Sequence, residues 1–293
     1  HGIISFGGTG GTSLVTPAMR ALPIGVPKVM VSTVASGNTA PYVGASDIIM
    51  MPSIVDVAGI NSISTKIFTN AVFAIAGMVK FENKKVVDKK PLIAATMFGV
   101  TTPCVTAATK YLEKRGYEVL IFHATGIGGQ SMEALIAGGF IEGVLDLTTT
   151  EWADEIIGGV LNAGPYRLEA AGKNHIPQVV SVGALDMCNF GTYDTIPKKF
   201  ERRNLYKHNP TVTLMRTNVE ENEAIGKKLV EKLNMAKDKT TLMLPLKGIS
   251  GIDVEGQPFY GVEEDKMLFD TLRNGVNKNS VEAVSYTHLT LPT

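Results

Sequence analysis

The stretch GIISFGGTGGTS, residues 2–13, decides the fold. Ile3, Ile4 and Phe6 form a short apolar run with the character of a buried strand, and the run stops at Gly7, Gly8, Gly10 and Gly11. Glycines at four of five positions let the backbone turn at positive φ and approach a ligand or another backbone closely. Thr12 and Ser13 are the expected N-caps of an amphipathic helix that runs on to Leu22. Strand, glycine loop and helix N-terminus together make an anion site, because unpaired N–H groups and the positive end of the helix dipole converge there. The same residues also suit a β–α turn whose glycines serve only tight packing. GGTGGT has neither the GxGxxG spacing nor the lysine of GxxxxGK[ST], so the anion reading rests on element order alone.

Moving outward, the pattern repeats. PKVMVST from Pro27 predicts a second buried strand running into Ala35, Ser36, Gly37 and Asn38, and DIIMM from Asp47 a third, ending at Pro52 and Ser53. A long helix is expected from Ser62 to Phe81, with Ile63, Ile67, Val72, Ile75, Ala76 and Val79 on one side. Residues 82–90, ENKKVVDKK, are the sharpest change of composition in the chain and mark a domain boundary.

Beyond it, strands at Pro91–Phe98, Tyr117–Phe122, Gly143–Leu147, Gln178–Val182 and Thr241–Leu246 alternate with helices at Pro103–Arg115, Ser131–Ala137, from Trp152, Glu220–Met235 and Glu263–Val276. Such alternation implies βαβ units and a parallel sheet covered on both faces. The fold class is therefore α/β. Ligands of such sheets bind outside the carboxyl ends of the strands, where this chain carries its polar loops.

The bulk numbers narrow the class. A chain of 293 residues suits two ordinary domains, and 44% hydrophobic with 19% charged residues is a globular composition. Lys+Arg and Asp+Glu both number 28, so no global field favours nucleic acid or an anionic membrane, and neither is an expected partner. No apolar run of the kind that spans a bilayer stands out. Cys104 and Cys188 lie far apart with no CxxC spacing, which fits a reducing, cytoplasmic compartment. The chain opens directly on a strand, as a piece of a longer protein would, and SYTHLTLPT, residues 285–293, reads as a non-native tail.

Four loops of the second half combine hydroxyls with glycine or proline: Thr101 and Thr102; Thr125, Gly126, Gly128 and Gly129; Thr148, Thr149 and Thr150; Ser181 and Gly183. They suit a phosphate or carboxylate, and equally ordinary N-capping. Four residues are candidate catalytic groups: His123 beside the glycine loop, Glu151 after the threonines, Asp186, and Lys247 in PLKGIS. Asp146, inside an apolar strand, needs a hydroxyl, a metal or a base as partner. Asn189, Asp253 and Glu255 are further metal or sugar contacts by type, and Arg216 and His208 are ambiguous. No spacing defines a metal site, and GxSxG, HExxH and Cys–His signatures are absent, which leaves hydrolase readings without support.

The blocks GIISFGGTGGTSL, ALPIGVPKVMVSTVASGNTAPYVGASDIIMM, ATMFGVTTPCV, FHATGIGGQSMEALI, GVLDLTTTEWADE, GGVLNAGPYRLEAAG, IPQVVSVGALDM and LPLKGIS resemble the Tm-one-like ATP-binding domain family, named after a plant tomato-mosaic-virus resistance protein. The resemblance covers Gly2 to Asn279. It implies two Rossmann-like three-layer domains with mainly parallel sheets, the first truncated at its N-terminus, at residues 1–85 and 86–284. It also implies a homodimer and a nucleotide partner, ATP with Mg²⁺ as counter-ion, in the first domain. Carried over, Gly7, Gly8, Thr9, Gly10, Gly11 and Thr12 face the phosphates, and Ser32, Thr33, Ser36 and Gly37 lie beside them. Three functions follow as expectations: an ATP-binding protein of unknown reaction, an enzyme acting on a small phosphorylated or carboxylated metabolite between the domains, or a non-catalytic interaction protein.

Overall fold

The computed structural model describes residues 1–81 and 90–287. The chain divides into two compact units, residues 1–89 and 90–293. The boundary expected at 85/86, and residues 288–293 of the expected tail, lie outside the described residues.

The first unit contains β1 (Ile3–Gly7), α1 (Thr9–Arg20), β2 (Lys28–Ser32), α2 (Ala40–Val43), β3 (Ile49–Pro52) and α3 (Ser62–Lys80). Its strands form a parallel sheet in the order β1-β2-β3. Successive side chains of a strand point to opposite faces. Met30 of β2 accordingly packs with Val15 and Met19 of α1, while Val29 and Val31 pack with Ala71 and Ile75 of α3. This is a three-layer arrangement. Asn61 starts α3: its Oδ1 accepts the N–H groups of Ile63 and Ser64, both at 2.9 Å, and the Ser64 hydroxyl accepts the Asn61 N–H. The 19-residue α3 is long and apolar enough to cross a membrane by length and composition. Its sheet-facing stripe is Ile67, Phe68, Ala71, Ile75 and Met78. Ile63, Val72, Ala76 and Val79, expected on that stripe, are exposed, because the observed stripe follows the three-and-four spacing from Ser64 instead.

The second unit runs β4 (Leu92–Met97), α4 (Thr102–Glu113), β5 (Glu118–His123), α5 (Ile127–Ala137), β6 (Gly143–Thr148), α6 (Glu151–Ile157), α7 (Ala170–Lys173), β7 (Gln178–Gly183), β8 (Met187–Phe190), β9 (Leu205–Asn209), β10 (Val212–Arg216), α8 (Val219–Leu233), β11 (Thr240–Pro245), α9 (Val262–Gly275) and β12 (Val281–Tyr286). Six strands pair in parallel in the order β12-β11-β7-β6-β4-β5. From β4 the chain winds first to β5 on one side and then to β6 on the other, so the switch point of a doubly wound sheet lies between β4 and β6. Ser285 and Tyr286 complete β12, paired with Leu244 and Pro245.

The connection after β7, which carries no strand pattern clear enough to read, holds an antiparallel sheet, β8-β10-β9. β9 reads LYKHN and is largely exposed, and β8 is four residues long, so neither shows a strand period on its own. The main core of the unit lies on the α8 and α9 side of the six-stranded sheet. Ile225, Leu229 and Leu233 of α8 pack there with Leu268, Phe269 and Leu272 of α9 and with Val180, Val182, Leu242 and Leu244 of the strands. Trp152, the one tryptophan of the chain, is buried in the same cluster. Leu229→Ala is expected to destabilise the second unit by about 2–5 kcal/mol. Urea unfolding followed by Trp152 fluorescence should show the lower midpoint.

Candidate functional site

In the first unit α1 begins at Thr9, with Gly8 as an extended N-cap and, among the described residues, no side-chain cap. Thr12 and Ser13, expected as caps, sit inside the helix. Their hydroxyls donate back to the carbonyls of Gly8 at 2.8 Å and Thr9 at 3.0 Å, since the helix starts one turn earlier than its apolar pattern suggests. Thr12 and Ser32 are both buried and hydrogen bonded to each other at 2.6 Å. Thr9, Gly10, Thr33, Ser36 and Gly37 are exposed.

The glycines of this loop differ in what requires them. A Cβ on Gly7 would stand 3.0 Å from the Gly11 Cα, so Gly7 is needed for the close approach of strand and helix. Around Gly8 and Gly11 the nearest atoms would lie at 3.7 and 3.9 Å, and around Gly10 there is none within 4 Å among the described residues. None of these has a positive φ. Beside the loop, at the ends of β2 and β3, Thr33, Ser36, Pro52, Ser53, Ile54, Val55 and Asp56 line a cavity of about 370 Å³. Ile54 has φ +64°, a conformation costly for a β-branched residue, and strain of this kind collects at ligand sites.

The second glycine loop has a different fate. Glu151, at the start of α6, places its carboxylate on the N-terminus of α5, where Oε1 accepts the N–H groups of Gly126 at 2.7 Å and Gly129 at 3.1 Å. A Cβ on Gly129 would collide with that carboxylate, and one on Gly128 with the His123 carbonyl. The anion site of this loop is thus filled from within. Arg167, fully buried before α7, binds both oxygens of Asp146 at 2.6 and 2.7 Å and Oε2 of Glu151 at 2.6 Å, with Glu133 of α5 at 3.4 Å. Burial pushes the Glu151 and Glu133 carboxyls up, and Arg167 pulls them back. The partners that Asp146 needs are therefore Arg167 and the Thr96 hydroxyl, which donates at 2.7 Å. Arg167 and Glu133 escaped the sequence reading, although one arginine amid the small residues of GPYRLEAAG, with an unexplained Asp146, was the available signal.

The threonine loops are also turned inward. Thr101 and Thr148 share a hydrogen bond of 2.7 Å, and Thr149 donates to the Ser181 carbonyl at 3.0 Å. At the ends of β7 and β11 a second buried cluster surrounds Arg216, whose Nη2 contacts Asp253 at 3.2 Å and Asp265 at 2.9 Å. Next to it, Asp186 Oδ2 accepts the Ser250 hydroxyl at 2.8 Å, while Asp186 Oδ1 and Arg216 Nε have no hydrogen-bond partner among the described residues.

The four candidate catalytic residues fall at different places along the sheet edge. His123 is exposed at the end of β5, Glu151 is buried against Arg167, Asp186 is buried beside Ser250, and Lys247 is exposed on the loop after β11. Asn189 is buried with its amide on Asp154 at 3.0 Å, and His208 and Glu255 are exposed. Among the described residues no group of three or more His, Cys, Asp or Glu is arranged to hold a metal.

A glycine loop opening onto a bare helix N-terminus, followed by a doubly wound parallel sheet, defines a Rossmann-like α/β protein of two units. The chain belongs to the uncharacterised protein family UPF0261, whose N-terminal domain matches residues 1–84 and whose C-terminal domain matches residues 90–289. It is 63% identical over 283 residues to a UPF0261 protein of Clostridium tetani, covering 97% of this chain and 70% of that protein. It is 49% identical over 283 residues to the ToMV resistance protein Tm-1(GCR237) of Solanum lycopersicum, covering 95% of this chain and 38% of the tomato protein. A UPF0261 protein of Rhizobium meliloti is 49% identical over 278 residues, with 95% and 69% covered. The Tm-one-like resemblance is therefore one of family.

Burial pushes the Asp186 carboxyl up to about 7, against an ordinary aspartate value near 4. The native chain holds a proton there that the unfolded chain releases, so stability falls as the pH rises from about 4 to about 7. Asp253, raised first by burial and then by Asp186 and Asp265, acts in the same direction. Asp186→Asn is expected to flatten this part of the profile, measured as urea midpoints of Trp152 fluorescence at the two ends of that range.

Proposed function

We propose that this protein binds a nucleotide, ATP with Mg²⁺, through phosphates seated on the N-terminus of α1. One observation carries the reading: Gly8, Gly10 and Gly11 are glycines that neither backbone conformation nor packing among the described residues demands. Glycine inside a helix costs roughly 0.5–1 kcal/mol relative to alanine. Gly10 and Gly11 bring that cost into the first turn of α1, and a phosphate lying against the backbone is what would need the missing side chains. The first N–H groups of a helix have no partner inside it, so Thr9, Gly10 and Gly11 supply donors at the positive end of the dipole. Thr33 and Ser36 bring hydroxyls from the adjoining cavity. Thr12 and Ser32, already bonded to each other, hold the loop from below rather than face the ligand. Mg²⁺ would be carried by the phosphate oxygens and would neutralise their charge there. The resemblance to a family of ATP-binding domains supports the choice of nucleotide and a homodimer. Free Cys104 and Cys188 support a reducing, cytoplasmic setting.

Calorimetric titration of Mg·ATP into the full chain tests the reading. Gly10→Val and Gly11→Val should weaken binding by more than about tenfold, or 1.4 kcal/mol, with the thermal unfolding of both units retained. Unchanged affinity in either folded variant, or no heat from the wild type, would refute the assignment.

A further inference from the structure

A second cavity, of about 340 Å³, opens at the carboxyl edge of the six-stranded sheet between the loops that follow β4 and β11. The Gly251 N–H donates to the Val100 carbonyl at 3.0 Å and ties the two loops together. The walls are apolar, built by Val100, Pro103, Ala107, Pro245, Ile249 and Val254. Its few polar side chains are mostly committed. Thr101 is bonded to Thr148 and receives the Phe98 N–H at 3.0 Å, and Ser250 donates to Asp186 while accepting the Ile252 N–H at 3.2 Å. Lys247 differs from them. It is exposed on the rim and, among the described residues, has no ion pair and no hydrogen bond.

We propose that this cavity binds a small aliphatic carboxylic acid, with its chain against Val100, Pro103, Ile249 and Val254 and its carboxylate paired with Lys247. Pockets that bind small molecules are mostly apolar, with a few polar groups that fix orientation, and this lining has that composition. Size sets an upper limit. A liquid water occupies about 30 Å³, so the cavity has room for roughly ten non-hydrogen atoms, which a six- to eight-carbon acid fills. Charge selects a monoanion. Among the described residues that line the cavity Lys247 is the one cation, so the second charge of a phosphate ester would find no partner. The site lies wholly within the second unit and does not rest on the nucleotide reading.

Hexanoate and hexanamide, titrated separately into the full chain without nucleotide, test the proposal. The acid is expected to bind at least tenfold more tightly than the amide. Lys247→Met should reduce hexanoate to the affinity of hexanamide while leaving hexanamide unchanged, and Lys247→Arg should restore the preference. An independent readout uses Cys104, which lines the cavity half-buried, against Cys188, which is buried elsewhere. Hexanoate should slow alkylation of Cys104 by N-ethylmaleimide, followed by peptide mass spectrometry, with Cys188 as internal reference. Equal binding of acid and amide, no binding of either, an unaltered preference in Lys247→Met, or no protection of Cys104 would each overturn it.

Discussion

One buried guanidinium organises the closed side of the second sheet. Moving an ion into the protein interior costs several kcal/mol even after relaxation, and only well-placed partners offset it. Arg167 has two oxygens of Asp146 and one of Glu151 within 2.7 Å, with Glu133 beyond them. Those partners belong to β6, α6 and α5, so one cation joins three elements to the loop before α7. The carboxylates in turn accept backbone donors: Glu151 those of Gly126 and Gly129, and Glu133 those of Leu168, Glu169 and Ala170. Two helix N-termini are thereby satisfied by the same network that solvates the arginine.

That network explains which parts of the molecule were legible in the sequence. Strand and helix order could be read because β2, β4, β6, β7 and β11 are apolar runs broken by glycine, proline or hydroxyls, and a buried parallel strand has that appearance whatever packs on it. The loops were read only by type. Thr148, Thr149 and Thr150 look like ligand donors in a string of letters, yet the first two turn their hydroxyls to residues up to 52 positions away, Thr96 among them. Chemistry of that range leaves no local trace. Asp146 was the exception, since a carboxylate in an apolar run demands a partner whose identity the sequence withholds.

Glycine illustrates the same limit more sharply. GGTGG near residue 9 and GIGG near residue 127 are alike as motifs, and each follows a strand and opens a helix. In the second, every glycine has a mechanical reason: Gly126 takes φ +87°, while Gly128 and Gly129 admit the His123 carbonyl and the Glu151 carboxylate. In the first, Gly7 alone has such a reason among the described residues. Once the internal claims on each glycine loop are subtracted, the glycines that the described structure does not require are Gly8, Gly10 and Gly11 at the start of α1.

The same subtraction divides the sheet edge of the second unit. Between β4 and β6, where a doubly wound sheet ordinarily opens a crevice, the bonded hydroxyls of Thr101 and Thr148 close it, and Arg167 fixes the strands beneath. Toward β7 and β11 the polar groups are less complete, since Asp186 Oδ1 and Arg216 Nε are buried without partners among the described residues. Each unsatisfied buried polar atom costs free energy, so this cluster is less completely satisfied than the one around Arg167. The cavity under Lys247 adjoins that region through Ser250, displaced from the switch point by the Gly251 to Val100 hydrogen bond that carries the β11 loop across the edge. The two arginines differ in how they are met: Arg167 has a carboxylate at every nitrogen, whereas Arg216 meets Asp253 and Asp265 through Nη2 and, among the described residues, has no partner at Nε.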